Sequence, residues 1–408
     1  IMSELSSHIQ QLNSIVAKHN GELFAKHIAL PVGPSTQIAP AVKQFVDKIR
    51  RTNIVGLCEN NCTDSNTCGI IAFRLMALVA VVDGDYEAAY RHESAAYNTT
   101  LDYFSIKEED TSWIIPVLVR VSNDLRVVAT MADEKAGDIN YKFLRESLNN
   151  LTKGFTTVAK DRSGSKRLAL FAVTNALFKI YFKVNTLQLC GKLINVVEGP
   201  GSNAMQGLRA FPICDVVMYK YYIGRLKMFE DRYTEARECL RFALQHCPSH
   251  CVRNRQRILT SLVPIEMCLG VMPRSVVGER YGLTEFVELG EATIRGDIGT
   301  FDRLLQQHQG SFVRLGVYLV LEQVKMIAYR NLFMRIFKLQ NSTRLSLQTF
   351  VNALVWMGQD TDLDEVECVL TNLIYQNRIK GYISHEKRFL IVSKTDPFPK
   401  AAIVKLPN

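Results

Sequence analysis

The sequence predicts a mainly α fold: a helical-repeat solenoid of the tetratricopeptide/HEAT kind that ends in a winged helix with a small β-hairpin. Two observations carry this reading. Apolar residues recur at helical spacing along almost the whole chain, and period-two alternation is clear only near the end, directly after three helical patterns.

The repeat character rests on two similar stretches. Asp83-Gly84-Asp85-Tyr86-Glu87-Ala88-Ala89 opens one helix-turn-helix unit, and Glu230-Asp231-Arg232-Tyr233-Thr234-Glu235-Ala236 opens another. In each, a polar turn is followed by an aromatic residue three positions before an alanine, the arrangement by which a small residue on one helix receives a ring from its neighbour. A looser unit starts at Gly296-Asp297 and continues through Phe301, Leu304 and Leu305. The period is irregular, so a degenerate solenoid is expected. Turn formers cluster at 161–166 and 199–203, which mark breaks. The expected organisation is N-terminal repeats over 1–200, further repeats over 201–310, a winged helix over 311–395 and a tail over 396–408.

The winged-helix expectation has its own elements. A long helix is predicted from about Ser311 to Gln340, and a second carries Leu345, Leu347, Phe350, Ala353, Leu354 and Met357. The third opens with Asp362 as N-cap and Glu365 three residues later, a capping-box pattern, with Val366, Val369, Leu370, Leu373 and Ile374 on one stripe. Ile379–Ile383 and Arg388–Val392 then read as strands about the turn Ser384-His385-Glu386-Lys387.

Composition bounds the rest. The 408 residues are 47% hydrophobic and 22% charged, which suits buried cores and excludes disorder as the main state. The longest apolar run, Ile70 to Val82, contains Arg74 and is too short to cross a bilayer, and no secretory pattern opens the sequence. A soluble, intracellular protein without a membrane role is expected, its ten cysteines reduced and packed as small hydrophobes. A net charge of +9 suggests an anionic partner: nucleic acid, an acidic protein, or both.

A solenoid running without a linker into a winged helix resembles the PCI domain of proteasome-lid, signalosome and initiation-factor subunits. Local stretches are closer still to the PCI domain-containing protein 2 family: 175–185 (NALFKIYFKVN), 219–225 (YKYYIGR), 262–267 (LVPIEM), 270–273 (GVMP), 327–333 (IAYRNLF) and 380–385 (KGYISH). They span roughly residues 170 to 395. The resemblance implies the PCI subunit of the nuclear transcription-export complex 2, a non-enzymatic scaffold without cofactors. Its implied partners are a large scaffold protein with its own PCI region, a small acidic disordered protein shared with the proteasome lid, and mRNA or single-stranded nucleic acid bound without sequence preference. It also implies the nucleus and the nuclear pore, with the cytoplasm open. The alternative is a PCI scaffold of a proteasome-lid or COP9-signalosome-like complex with no nucleic-acid role.

The residues offer candidate sites. From Arg378 to Lys394 the hairpin region holds Arg378, Lys380, Lys387, Arg388 and Lys394 against Glu386 alone, a strip able to follow phosphates, or else a charged guard on an edge strand. Residues 140–183 carry nine basic residues against two acids. Five acids crowd the start of the third helix (Asp360, Asp362, Asp364, Glu365, Glu367), which disfavours insertion of that helix into a DNA groove. Tyr219, Tyr221, Tyr222 and Arg225 are candidate anchors for an acidic partner segment, Tyr221, Tyr222 and Arg225 foremost, with core packing expected for at least two of the four.

Two cysteine clusters, Cys58/Cys62/Cys68 and His246-Cys247-Pro248-Ser249-His250-Cys251, lack the paired knuckle spacing of structural zinc and are read as packed thiols. No phosphate-binding loop, zinc-protease helix, nucleophile elbow or dinucleotide fingerprint is present, and the eight histidines are dispersed, so no catalytic residue is assigned.

Overall fold

A computed structural model describes residues 2–33, 38–62, 64–106, 110–161, 164–199 and 207–399. The chain divides into two compact units, Ile1–Tyr219 and Lys220–Asn408. The first contains α1 (Met2–Ala17), α2 (Gly21–His27), α3 (Pro40–Arg50), α4 (Ile54–Asn61), α5 (Ser65–Asp83), α6 (Tyr86–Phe104), α7 (Ile115–Ala136), α8 (Lys142–Lys160), α9 (Leu170–Val184) and α10 (Cys190–Glu198). Helix α11 (Ile213–Phe229) carries the chain across the division. The second unit continues with α12 (Tyr233–His246), α13 (Val252–Cys268), α14 (Ser275–Tyr281), α15 (Thr284–Arg295), α16 (Ile298–Gln307), α17 (Gln309–Leu315) and α18 (Tyr318–Gln340). It ends with β1 (Arg344–Ser346), α19 (Leu347–Trp356), α20 (Leu363–Tyr375), β2 (Gly381–Ser384) and β3 (Phe389–Val392).

The division therefore falls within α11 and not at the turn-rich 199–203 segment, of which residues 200–203 lie outside the described residues. The physical reason is visible in Tyr219. Its ring is fully buried and packs on Phe171 and Phe178 of α9, with ring centroids 4.9 and 5.8 Å apart, so the start of α11 belongs to the N-terminal core.

The repeat turns form where the sequence places them. Gly84 takes φ +74° at the end of α5, and the Asp85 carboxylate accepts the Ala88 N–H at 3.1 Å to open α6. Gly296 (φ +66°) and Asp297, which accepts from Thr300 N–H at 3.0 Å, repeat the device between α15 and α16. Ala89 and Ala236 are fully buried, as close helix packing requires. Two further close approaches involve glycine: a Cβ on Gly154 would lie 2.0 Å from the Tyr97 hydroxyl, and one on Gly224 2.6 Å from Leu240 Cγ.

Helix α5 is long and apolar enough to cross a membrane by length and composition, yet its centre is the polar hub of the first unit. Arg74 is buried and bridges Glu93 of α6 and Asp124 of α7, the latter at 2.7 Å. Its guanidinium also donates to the Ile28 carbonyl, 2.9 Å from Nε, at the end of α2. Three helices and the segment after α2 are thus tied through one side chain. One cation faces two carboxylates here. Burial pushes Glu93 up to about 7, against the pull of Arg74 and with the help of Asp124, and its Oε2 has no hydrogen-bond partner.

The C-terminal module is a winged helix with differences from expectation. The long helix expected over Ser311–Gln340 is broken, because Gly316 takes φ +73° and ends α17 before α18 begins. Leu345 lies in a strand, not a helix. Strand β1 pairs antiparallel with β3 (Leu345 opposite Leu390), and β3 pairs with β2 (Ile383 opposite Leu390), so the hairpin is widened to a three-stranded sheet in the order β1-β3-β2. Leu345 and Leu390 face inward onto a core that includes Phe333, Phe350, Val366 and Leu373. The module also extends beyond 395. Phe398 is buried in the same core, and the Arg330 guanidinium donates to the carbonyls of Phe398 and of Pro399, the latter at 2.8 Å.

The Arg74 hub carries two expectations. Arg74→Met leaves two carboxylates buried without a cation and should cost about 3–5 kcal/mol in denaturant unfolding of the N-terminal unit. The raised Glu93 value means that the folded state holds a proton that the unfolded state has lost. Stability should therefore fall as pH rises from about 4.5 to about 7, and Glu93→Gln should flatten that slope in melting curves recorded across the window.

Candidate nucleic-acid interface on the winged helix

Strand register decides which side chains share the open face of the sheet. Leu345, Leu390 and Val392 point to the core, so their neighbours Arg344, Ser346, Tyr382, Ser384, Phe389 and Ile391 point away from it. In one row Arg344, Ile391 and Tyr382 lie side by side, and in the next Ser346, Phe389 and Ser384. Tyr382 is 64% exposed, and the Arg344 guanidinium stacks on Phe389 with its carbon 4.1 Å from the ring centroid. With Lys387 at the turn, these residues surround a shallow depression of about 250 Å³. Aromatic rings, a stacked guanidinium and a lysine on one face form a surface on which bases can stack while phosphates are neutralised.

The five basic residues read from the sequence do not form one strip. Arg378 is only 4% exposed, its Nε donates to Gln376 Oε1 at 2.9 Å, and burial lowers its pKa, so it leaves the candidate set. Arg388 turns toward α20 and pairs with Asp364 at 2.8 Å and Glu367 at 3.0 Å. His385 reaches the same Glu367 at 2.8 Å. Lys380 pairs with Asp396 at 3.2 Å. Lys387 and Lys394 remain exposed without an ion pair among the described residues. The acids at the start of α20 thus clamp the wing as well as capping the helix, where the Asp362 carboxylate accepts from the N–H groups of Asp364 and Glu365. Arg344, Tyr382 and Phe389 do not stand out in the sequence, because the helical spacing of Leu345 with the apolar residues of α19 hides the strand that carries Arg344. The alternation of Leu345 with Arg344 and Ser346 covers only three residues, too few to reveal that strand from the sequence.

The other candidates are placed as follows. Tyr221 and Tyr222 are half-buried, with rings 5.3 Å apart edge to face. Arg225 stacks on Tyr221 and Phe229 and donates to the Leu315 carbonyl at 3.5 Å, which commits it to the fold of the second unit. Cys58, Cys68 and Cys247 are buried. Burial, with neighbouring thiols and acids adding to it, pushes Cys58 up to about 12 and Cys62 to about 11, so both are protonated at neutral pH. Among the described residues, no three histidine, cysteine or carboxylate side chains are gathered to hold a metal.

A family model for the PCI domain matches residues 305–394, and a second, described as PSMD3-like N-terminal TPR repeats, matches residues 140–280. The PCI domain-containing protein 2 homolog of Dictyostelium discoideum is 33% identical across 98% of this chain and 99% of its own length. The chain belongs to the PCI domain-containing protein 2 family. The Danio rerio PCI domain-containing protein 2 is 36% identical across 81% of this chain and 84% of its own. A more distant relative, the Protein CSN12 homolog of Neurospora crassa, is 30% identical across 72% of this chain and 73% of its own. The sheet face and the acid-clamped wing both lie on the PCI-domain match, and the match begins within α16, before the break at Gly316.

Because Arg378 is buried, Arg378→Met should leave affinity for a single-stranded oligonucleotide within about twofold. Fluorescence anisotropy at fixed salt measures it; a loss comparable to that of Lys387→Glu would restore Arg378 to the interface.

Proposed function

We propose that this chain is a non-enzymatic scaffold subunit of a nuclear mRNA-export assembly of the transcription-export complex 2 type, and that it holds RNA or single-stranded DNA on the open face of its winged-helix sheet. Family membership supports the scaffold role. The observation that carries the nucleic-acid part is the grouping of Arg344, Tyr382, Phe389 and Lys387 on one exposed face. Such a face holds any base, because every base has a stacking surface, and it reads no sequence. The acids of α20 support the same view from the other side, since that helix would meet a phosphate-lined groove with like charge.

The proposal includes a large PCI-containing scaffold protein and a small acidic disordered protein as partners, and residence in the nucleus, at pores. For the acidic partner, the half-buried Tyr221 is the anchor proposed on this helix, with Tyr222 packed edge to face against it and Arg225 engaged internally. A second reading, a subunit of a lid-like or signalosome-like assembly, is favoured by the PSMD3-like repeat match and by the relative named Protein CSN12 homolog.

Binding of a labelled poly-pyrimidine strand should weaken steeply with salt. Tyr382→Ala should cost about 1–3 kcal/mol of affinity through the absence of its stacking ring. Arg344→Glu and Lys387→Glu should each weaken binding and reduce the salt slope by roughly 0.7 for each phosphate no longer neutralised. Unchanged affinity in all three variants refutes the sheet face. Affinity purification of the tagged full chain separates the two assemblies: export-type partners support the first reading, and lid or signalosome subunits support the second.

A further inference from the structure

In a chain of net charge +9, the stretch from Leu345 to Asn377 holds five carboxylates and no lysine or arginine. It comprises α19 and α20, so the winged helix has an anionic pole opposite in sign to the rest of the protein. Three large apolar side chains stand exposed on this stretch, Tyr375 at the end of α20 and two neighbours at the end of α19. Trp356, at the end of α19, is 85% exposed, and Val355 beside it is 54% exposed.

Their mounting is rigid. Gly358 (φ +82°) reverses the chain directly after α19, with its N–H on the Val355 carbonyl at 2.9 Å and the Gln359 N–H on Leu354 at 3.0 Å. Asp360 and Asp362 lie on the short connection that follows. Beneath, the Met357 carbonyl sits so close to Gly299 of α16 that a Cβ there would be 2.4 Å away. Tyr329 of α18, whose hydroxyl pKa is raised first by burial and opposed by Lys325, also senses Asp302, Glu365 and Glu322. Asp302 is held by Lys325 at 2.7 Å and Asp364 by Arg388, whereas Asp360 and Glu365 form no ion pair among the described residues.

We infer that the Trp356 surface docks a cationic polypeptide segment of a partner protein, one in which lysines or arginines flank an apolar side chain. The charge selects the partner. An acidic protein or a nucleic acid is repelled by the rim, while a basic segment gains charge pairs with Asp360 and Glu365 as its apolar residue covers Trp356. An exposed tryptophan on a stretch of chain that carries only acidic charge has the composition of a binding hot spot. This surface is distinct from the sheet face and does not depend on the nucleic-acid reading.

The test uses the full chain. Phage-displayed random peptides are selected on the wild type, and their affinities are then measured on Trp356→Ala and on Asp360→Lys/Glu365→Lys. The second variant alters only exposed carboxylates, so it serves if the first fails to fold by circular dichroism. Recovered peptides should carry net positive charge around an apolar residue, and binding should weaken at least tenfold on either variant. Neutral or acidic peptides, equal affinity for wild type and variants, or failure to recover any peptide overturns the inference. Two controls address other occupants. If sedimentation shows self-association that Trp356→Ala abolishes, the surface is a contact between copies. If single-stranded nucleic-acid affinity falls with Trp356→Ala, it belongs to the nucleic-acid face. Either result also overturns the inference.

Discussion

Every α-helix ends with carbonyls that have no partner within it, and a chain with so many short helices must satisfy them many times over. This protein does so with cationic side chains from neighbouring elements. Arg74 donates to Ile28 at the end of α2, Lys135 to Gly84 after α5, and Lys166 to Phe104 and Ile106 after α6. In the second unit Arg225 donates to Leu315 at the end of α17, Arg255 to Leu244 in the last turn of α12 and to Cys247 just after it, and Arg335 to Ile294 at the end of α15. Each bond places positive charge at the negative end of a helix dipole and fixes one helix pair against another. A regular repeat array achieves its stacking through identical side chains in every unit. Here the units differ, and individually placed cations supply the register.

That constraint changes the meaning of the net charge. A surplus of nine positive charges reads, from composition, as a surface prepared for an anion. Part of the basic complement is instead internal. Arg74, Arg330 and Arg378 are buried, and Arg225 and Arg255 are largely engaged with carbonyls. What remains for a partner is set by where the uncommitted charges fall, and on the winged helix that is the sheet face and the turn at Lys387.

The same logic explains which parts of the fold were legible in the sequence. The cap of the third winged-helix helix was legible because it is local: Asp362 accepts hydrogen bonds from N–H groups two and three residues on, and such spacing is written in the chain; Asp85 and Asp297, read only as parts of polar turns, prove to be caps of the same kind. The hairpin was legible for the same reason. The break at Gly316 was not, because the apolar pattern continues through it and only the left-handed backbone reveals the stop. Strand β1 was missed because three residues are too short for alternation to register, and its pairing with β3 is a long-range event. Arg378 was misread because counting charges along a sequence treats every cation as solvated, and burial is a property of the packed core. The candidate site suffered most, since a surface made from three strands has no contiguous sequence signature.

The clamp between α20 and the wing links these points to function. Arg388 pairs with Asp364 and Glu367, and the His385 ring reaches the same Glu367, so the hairpin is held against the third helix. Exposed ion pairs of this kind contribute little stability individually. Their larger effect is to separate charge in space. With Arg388 paired to the acids of α20, the exposed cations of the sheet are Arg344 and Lys387, while Asp360 and Glu365, just before and on α20, form no ion pair among the described residues. Under physiological screening a field reaches only about 8 Å, so two faces of opposite sign can act independently on one small module. A winged helix polarised in this way is poorly suited to entering a DNA groove with its third helix.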